Sequence, residues 1–303
     1  MPVHPDDGHA TVSDVVTAHL LHAFAIARLT GAPALACIAG VRSSSGLLGL
    51  SGAPKHWTAP AGLVEIAVLA DLALGASVRT QAGADKQMPT LSMTIDLAGT
   101  PPPAARLDVA TAAAALHERF ASTAGTLRDG GRAIGHCAAT FAVASANATL
   151  LPWERQGAID AVHPLAEDDL DAAEEHLLHA IRAAGDRCWS DAVLEASITE
   201  STPLQITASD LLANRFGTVQ GGLLFALAAR AASQAAEGST RVRGGHVDFL
   251  SAGDVTQPLD TAATVLSAGR RTSFIRSDIR QGPRLVATGS FVLQAVSAHA
   301  APT

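Results

Sequence analysis

His19-Leu-Leu-His22-Ala23 returns as His176-Leu-Leu-His179-Ala180, 157 residues further along the chain. Each copy sits in a stretch, roughly 11–30 and 167–185, whose apolar residues recur at helical spacing. A strand pair follows in both halves, then a glycine-containing helix entry, then a block of strands. The entries are Pro60-Ala-Gly62-Leu-Val-Glu65 and Val219-Gln-Gly221-Gly222-Leu-Leu-Phe. Near the end of each half, Arg128-Asp-Gly-Gly-Arg132 and Arg280-Gln-Gly-Pro-Arg284 separate apolar runs and read as hairpin turns. Agreement at three places in the same order marks an internal duplication.

The periodicity predicts central helices at about 62–79 and 221–236. Strands are expected near 90–98, 105–114, 116–127 and 132–145, and again near 244–251, 260–268, 271–280 and 284–295. Residues 1–146 and 167–303 form the two expected domains, joined by a connection at 147–166 that carries Pro152 and Pro164. The order fits an α+β fold in which an antiparallel sheet wraps one long helix, built twice. The two sheets are expected side by side, because each copy has an edge to cover.

At 48% hydrophobic and 16% charged residues the chain can bury a large core. A net charge of −7 without a long basic run argues against nucleic acid as a partner. Every apolar run is interrupted before it reaches the length of a membrane span, and the N-terminus is polar and acidic, so a cytoplasmic protein is expected. Cys37, Cys137 and Cys188 are odd in number, with no Cys-x-x-Cys pair, and read as buried or free thiols in a reducing compartment.

The stretch richest in chemistry is Asn214-Arg-Phe-Gly217-Thr-Val-Gln-Gly221-Gly222, which runs into an Ala/Leu-rich helix. The first N–H groups of a helix have no intrahelical partners and favour negative charge, so this terminus can hold an anion or a developing oxyanion. No acid follows on that helix. The central helix of the first half, by contrast, carries Asp71 within an apolar run.

Asn-x-x-Gly-Thr-x-x-Gly-Gly before such a helix resembles the signature of hotdog-fold acyl-CoA thioesterases, the phenylacetyl-CoA thioesterase type in particular. Gly62-Leu-Val-Glu-Ile-Ala-Val-Leu-Ala-Asp71-Leu-Ala-Leu-Gly75 is similar to the acid-bearing helix of tandem-hotdog members. The resemblance implies two hotdog domains arranged as a pseudo-dimer. In that family a His usually precedes the glycine pair and an acid follows seven residues after it; here Gln220 and Ala229 hold those positions. A shift of 158 places Asp71 on Ala229, Asn214 on His56, Gly221 on Leu63 and Gly222 on Val64. Each half keeps what the other has lost.

Family sites combine the glycine end of one central helix with the acid of its partner. The resemblance therefore implies one composite site, with Asp71 as base or nucleophile, the Gly221 N–H as oxyanion donor, and Asn214 with Thr90 orienting water or substrate. Gln220 assists where relatives use His, and Gly222, Arg270 and Arg271 are expected to bind substrate. The opposite pairing, Ala229 with His56 and Leu63, lacks an acid, and the stretch Gly244-Gly245 offers no hydroxyl to match Thr90. Acyl-CoA is the implied substrate, with no cofactor and no metal; fused units with exposed sheet edges can assemble further as a homo-oligomer.

Other readings of these residues stay open. An Asp in an Ala/Leu helix is usually a surface residue, and a glycine pair can serve close packing alone. Glu65 shares the helix of Asp71 but points elsewhere around it. His19/His22 and His176/His179 have i, i+3 spacing but no third metal ligand. Trp57 lines a site mouth or simply packs. Two further functions fit the same fold: an acyl-CoA-binding protein without catalysis, and a hydratase or dehydratase acting on enoyl thioesters, which needs an acid–His pair.

Overall fold

The computed structural model describes residues 12–44, 47–55, 57–83, 85–145, 151–154, 159–185, 189–201, 204–207 and 209–296. His56, Cys188 and residues 147–150 and 155–158 of the connection lie outside the described residues.

The first half runs α1 (Val12–Thr30), α2 (Ala34–Ile38), β1 (Arg42–Ser44), β2 (Leu47–Gly49), α3 (Leu63–Ala82), β3 (Lys86–Gln87), β4 (Thr90–Leu97), β5 (Leu107–Thr111), β6 (Ala115–His117), β7 (Phe120–Asp129), β8 (Arg132–Ala142) and β9 (Ala144–Ser145). The second runs α4 (Ala172–Ala184), α5 (Trp189–Ser197), β10 (Ile198–Ser201), β11 (Leu204–Ile206), α6 (Gly221–Ala235), β12 (Thr240–Phe249), β13 (Leu259–Ala268), β14 (Thr272–Gln281) and β15 (Arg284–Ala295). The order repeats, as the duplication predicts. The short helices α2 and α5 were not anticipated, because five and nine residues carry too little periodicity to register.

Among the described residues, thirteen strands form one sheet in the order β1-β2-β5-β7-β8-β4-β12-β15-β14-β13-β11-β10, with β6 paired to β7. The order is symmetric about the β4–β12 junction, where Asp96 faces Gly244 and Ser92 faces Asp248 in antiparallel register. Pairing these strands removes one open edge from each half. The hairpins fall where the glycines predict. Gly130 and Gly131 turn at φ +54° and +96° between Asp129 and Arg132, the two left-handed positions of a tight hairpin turn.

The two central helices lie against the sheet and against each other. Val64 to Ala70 on α3 and Gly222 to Ala229 on α6 are continuously buried, as their apolar sequences require, with Glu65 the one charged residue in either run. The amphipathic helices α1 and α4 pair with one another. The Arg28 Nε donates to Glu174 Oε1 at 2.9 Å, with a second contact to Oε2, and Arg182 Nε donates to Thr17 Oγ1 at 2.8 Å. In the connection between halves, Leu151, Trp153, Ile159 and Val162 are buried. No described helix is long and apolar enough to cross a membrane.

Candidate active site

Asp71 stands on the third turn of α3, facing the N-terminus of α6. Its Oδ1 accepts from Thr90 Oγ1 at 2.7 Å, and Thr90 opens β4 of the same half. Its Oδ2 accepts from Gln220 Nε2 at 3.2 Å, from the other half. Burial pushes the carboxyl above the ordinary carboxylate range. The Thr90 hydroxyl and the backbone N–H of Gly222, which donate to it, oppose that rise without cancelling it.

Gln220 is the N-cap of α6 and is buried. Its Oε1 accepts from Leu223 N at 3.1 Å, which fixes the amide so that Nε2 points at Asp71. The first turn of α6 can then be accounted for donor by donor. Gly222 N–H goes to Asp71, Leu223 N–H to the Gln220 side chain, and Leu224 N–H to the Gln220 carbonyl at 3.1 Å. Among the described residues the Gly221 N–H has no partner. It stands at the positive end of the helix, beside the carboxylate.

The two glycines have different jobs. A Cβ on Gly221 would lie 3.2 Å from Asp71 Oδ2 and press on the carboxylate. A Cβ on Gly222 would meet Val68 N at 2.5 Å and the Ala67 carbonyl at 2.6 Å, both backbone of α3. Gly222 therefore lets the two helices touch, and its N–H supports Asp71.

A cavity of about 330 Å³ opens here, lined by Asp71, Thr90, Asn214, Gln220 and Gly221 together with Arg79 and Arg215. Asn214 faces it, but its side chain is engaged in its own loop. Oδ1 accepts from Phe216 N at 2.8 Å and Nδ2 donates to Thr218 Oγ1 at 2.7 Å. It shapes the loop that leads into α6. Arg270 and Arg271 occupy the exposed turn between β13 and β14 and line neither this cavity nor the one described below. The cations at the cavity are Arg79 and Arg215, which the sequence reading missed. Spacing held the signal, since Asp71, Gly75 and Arg79 are successive i+4 neighbours on one helix face, and Arg215 follows Asn214 directly.

The remaining candidates are structural. Glu65 is buried and accepts from Gly62 N at 2.5 Å and from Ser190 Oγ at 2.6 Å, capping its own helix and tying it to α5. Trp57 is buried, stacked on Trp189 at 5.8 Å with His19 edge-on at 5.3 Å. His19 contacts the Ile38 carbonyl at 2.8 Å, and no group of three metal-ligating side chains occurs among the described residues. Cys37 and Cys137 are buried free thiols, both pushed up to about 12 by burial.

Among the described residues, the equivalent seam on the other side of the helix pair carries none of this chemistry. Gly62 and Leu63 open α3 where Gln220 and Gly221 open α6, and Ala229 stands for Asp71. The partner of Thr90 is identified by a bulge. Pairing shifts register between Thr90 and Ser92, opposite Phe141, and likewise between Val242 and Gly244, opposite Leu293. Val242, not Gly244-Gly245, is thus the counterpart of Thr90.

Comparison with known proteins agrees with this architecture. A family model described as the acyl-CoA thioesterase N-terminal domain matches residues 212–294, which lie in the second half of this chain. No curated protein matches the sequence. Among solved structures, the fold is similar to a protein described as an oleoyl thioesterase from Lactobacillus plantarum, at 12% identity and a TM-score of 0.52, covering 78% of this chain and 90% of that one. It is similar as well to the tesB protein of Mycobacterium avium subs paratuberculosis, at 14% identity and TM-score 0.50, covering 87% and 98%. A protein described as a thioesterase from Novosphingobium aromaticivorans aligns at 13% identity and TM-score 0.50, covering 85% and 99%. By its fold the chain is a tandem hotdog protein, and its second half matches the acyl-CoA thioesterase domain family.

Proposed function

We propose that the chain hydrolyses an acyl-CoA thioester to free coenzyme A and a carboxylic acid, at one site shared by its two halves. The observation that carries this reading is Asp71 of one half hydrogen-bonded to Gln220 of the other, beside the open N–H of Gly221. Family membership of the second half and the thioesterase fold support thioester hydrolysis in general. The division of labour below rests on the geometry.

Thioester hydrolysis needs an activated water and a donor aimed at the oxygen that becomes negative. Asp71 takes a proton from water, and the water oxygen attacks the carbonyl carbon. The Gly221 N–H donates to the carbonyl oxygen as negative charge grows on it. Collapse breaks the C–S bond, and the proton held by Asp71 passes to the leaving thiolate. A raised carboxyl makes Asp71 a stronger base than a solvated aspartate. Thr90 and Gln220 hold one oxygen each, which favours a carboxylate that stays in place as base over one that moves as nucleophile. Arg79 and Arg215, at the same cavity, are the cations suited to coenzyme A phosphates.

Hydration of an enoyl thioester is less well served, because no histidine lines this cavity among the described residues. The test is thiol release from a panel of aliphatic and aromatic acyl-CoAs, with Asp71→Asn alongside. Release by the wild-type chain, lost in the variant, is expected. Tight binding without turnover across the panel would make the protein an acyl-CoA binder instead, and loss of enoyl absorbance without thiol would indicate hydration.

A further inference from the structure

The second seam has lost the catalytic groups but kept its space. A cavity of about 380 Å³ lies there, against about 330 Å³ at Asp71. Protein interiors normally close to near-crystalline density, and both volumes fall at the lower end of the range of about 300–1,000 Å³ typical of ligand pockets. Gly62, Leu63, Ala229 and Val242 stand where Gln220, Gly221, Asp71 and Thr90 would have to be. Nothing at these positions can activate water.

Two cations stand beside the replaced residues. Arg230 follows Ala229 on α6 and Arg241 precedes Val242 on β12, and both line the cavity. Arg241 Nη1 donates to Thr100 Oγ1 at 3.3 Å, joining the two halves at the rim. No carboxylate lines the cavity among the described residues. Its walls are otherwise largely apolar, with Leu63, Val64 and Leu97 from the first half facing Ala226 and Ala229 from the second. An apolar chamber with arginines on one side is matched to an acyl chain that ends in an anionic group.

We propose that this second cavity binds an acyl chain with an anionic head, without hydrolysing it. Two sources share that chemistry: a free fatty carboxylate, and an acyl-CoA whose phosphates meet the arginines. Equilibrium dialysis of the full-length Asp71→Asn chain with octanoate, octanoyl-CoA and coenzyme A separates them. The decisive comparison is the same chain carrying Arg230→Glu and Arg241→Glu, two changes outside the catalytic seam. At least one acylated probe is expected to lose a binding component by about tenfold or more in affinity in the charge-reversed chain, corresponding to a loss of about 1.4 kcal/mol or more. Loss for octanoate identifies a carboxylate head, and loss for octanoyl-CoA alone identifies the phosphates. In an otherwise wild-type background the reversal should leave kcat unchanged. Binding of both acylated probes that is indifferent to the reversal overturns the proposal. So does coenzyme A binding here as tightly as its acyl ester, since the chain would then contribute nothing. The proposal is read from sensitivity to Arg230 and Arg241, not from the number of sites, so it stands or falls separately from thioester hydrolysis at Asp71.

Discussion

Asp71 is a carboxyl whose environment works against its charge, and that has a cost readable in stability. Its pKa is raised from 3.8, mainly by burial. The folded state therefore holds a proton that the unfolded chain has already released once pH exceeds 3.8, and stability falls as pH rises from there through the raised value. Asp71→Asn removes this dependence. Denaturant unfolding of the two proteins at stepwise pH should show the variant gaining relative to wild type as pH rises, with the change confined to the window above 3.8. A gap that stays constant, or moves the other way, contradicts a raised carboxyl. Gly221 is the neighbouring sensitivity. A methyl group 3.2 Å from Asp71 Oδ2 must displace the carboxylate by a few tenths of an ångström. Misplacement on the ångström scale costs up to about 100-fold, so Gly221→Ala should lower kcat by about tenfold with its melting temperature nearly unchanged. Both residues stood out in the sequence, as an acid in an apolar helix and a glycine at a helix entry. The bond from Gln220 to Asp71 could not be read there, because 149 residues separate them.

At the scale of elements, the contact between α3 and α6 sets the geometry, and Gly222 is its pivot. Its would-be Cβ meets backbone at 2.5 Å and 2.6 Å, and backbone cannot rotate away. Overpacking of this kind costs about 1–3 kcal/mol, so Gly222→Ala should lower the melting temperature by several degrees and reduce turnover with it. Unchanged stability would mean that the helices do not lean on this residue. Helices and strands were legible here wherever apolar periodicity ran long. β15 occupies the expected 284–295, and α6 ends one residue before expectation. Correspondence between the halves was less legible beyond the helices. Thr90 follows Asp71 by nineteen residues, whereas Val242 follows Ala229 by thirteen, so a fixed shift fails across the intervening loop. Only the bulge register reveals the match, and register is a property of strand pairing.

At the scale of the molecule, duplication has produced two seams with unlike contents across one continuous sheet. The asymmetry is specific at each position. Asp71, Thr90, Gln220 and Gly221 gather at one seam, and Ala229, Val242, Gly62 and Leu63 occupy the other. Restoring one group should therefore restore nothing: Ala229→Asp in an Asp71→Asn background is expected to remain inactive in thiol release, and recovery would show that the second seam is catalytically competent. The duplication, the acid and the glycine pair were all visible in the sequence, and the resemblance to hotdog thioesterases is what implied a shared site. Arg270 and Arg271 stand out as a pair in the sequence, whereas Arg79 and Arg215 come together at the cavity only through the fold. The claim that both halves build one active site is tested most directly by measuring kcat for acyl-CoA hydrolysis in two single variants, one from each half. Asp71→Asn should lower it by about 100-fold or more, as loss of a general base does, and Gln220→Leu by about tenfold or more. Turnover near the wild-type level in either variant would contradict a site shared between the halves.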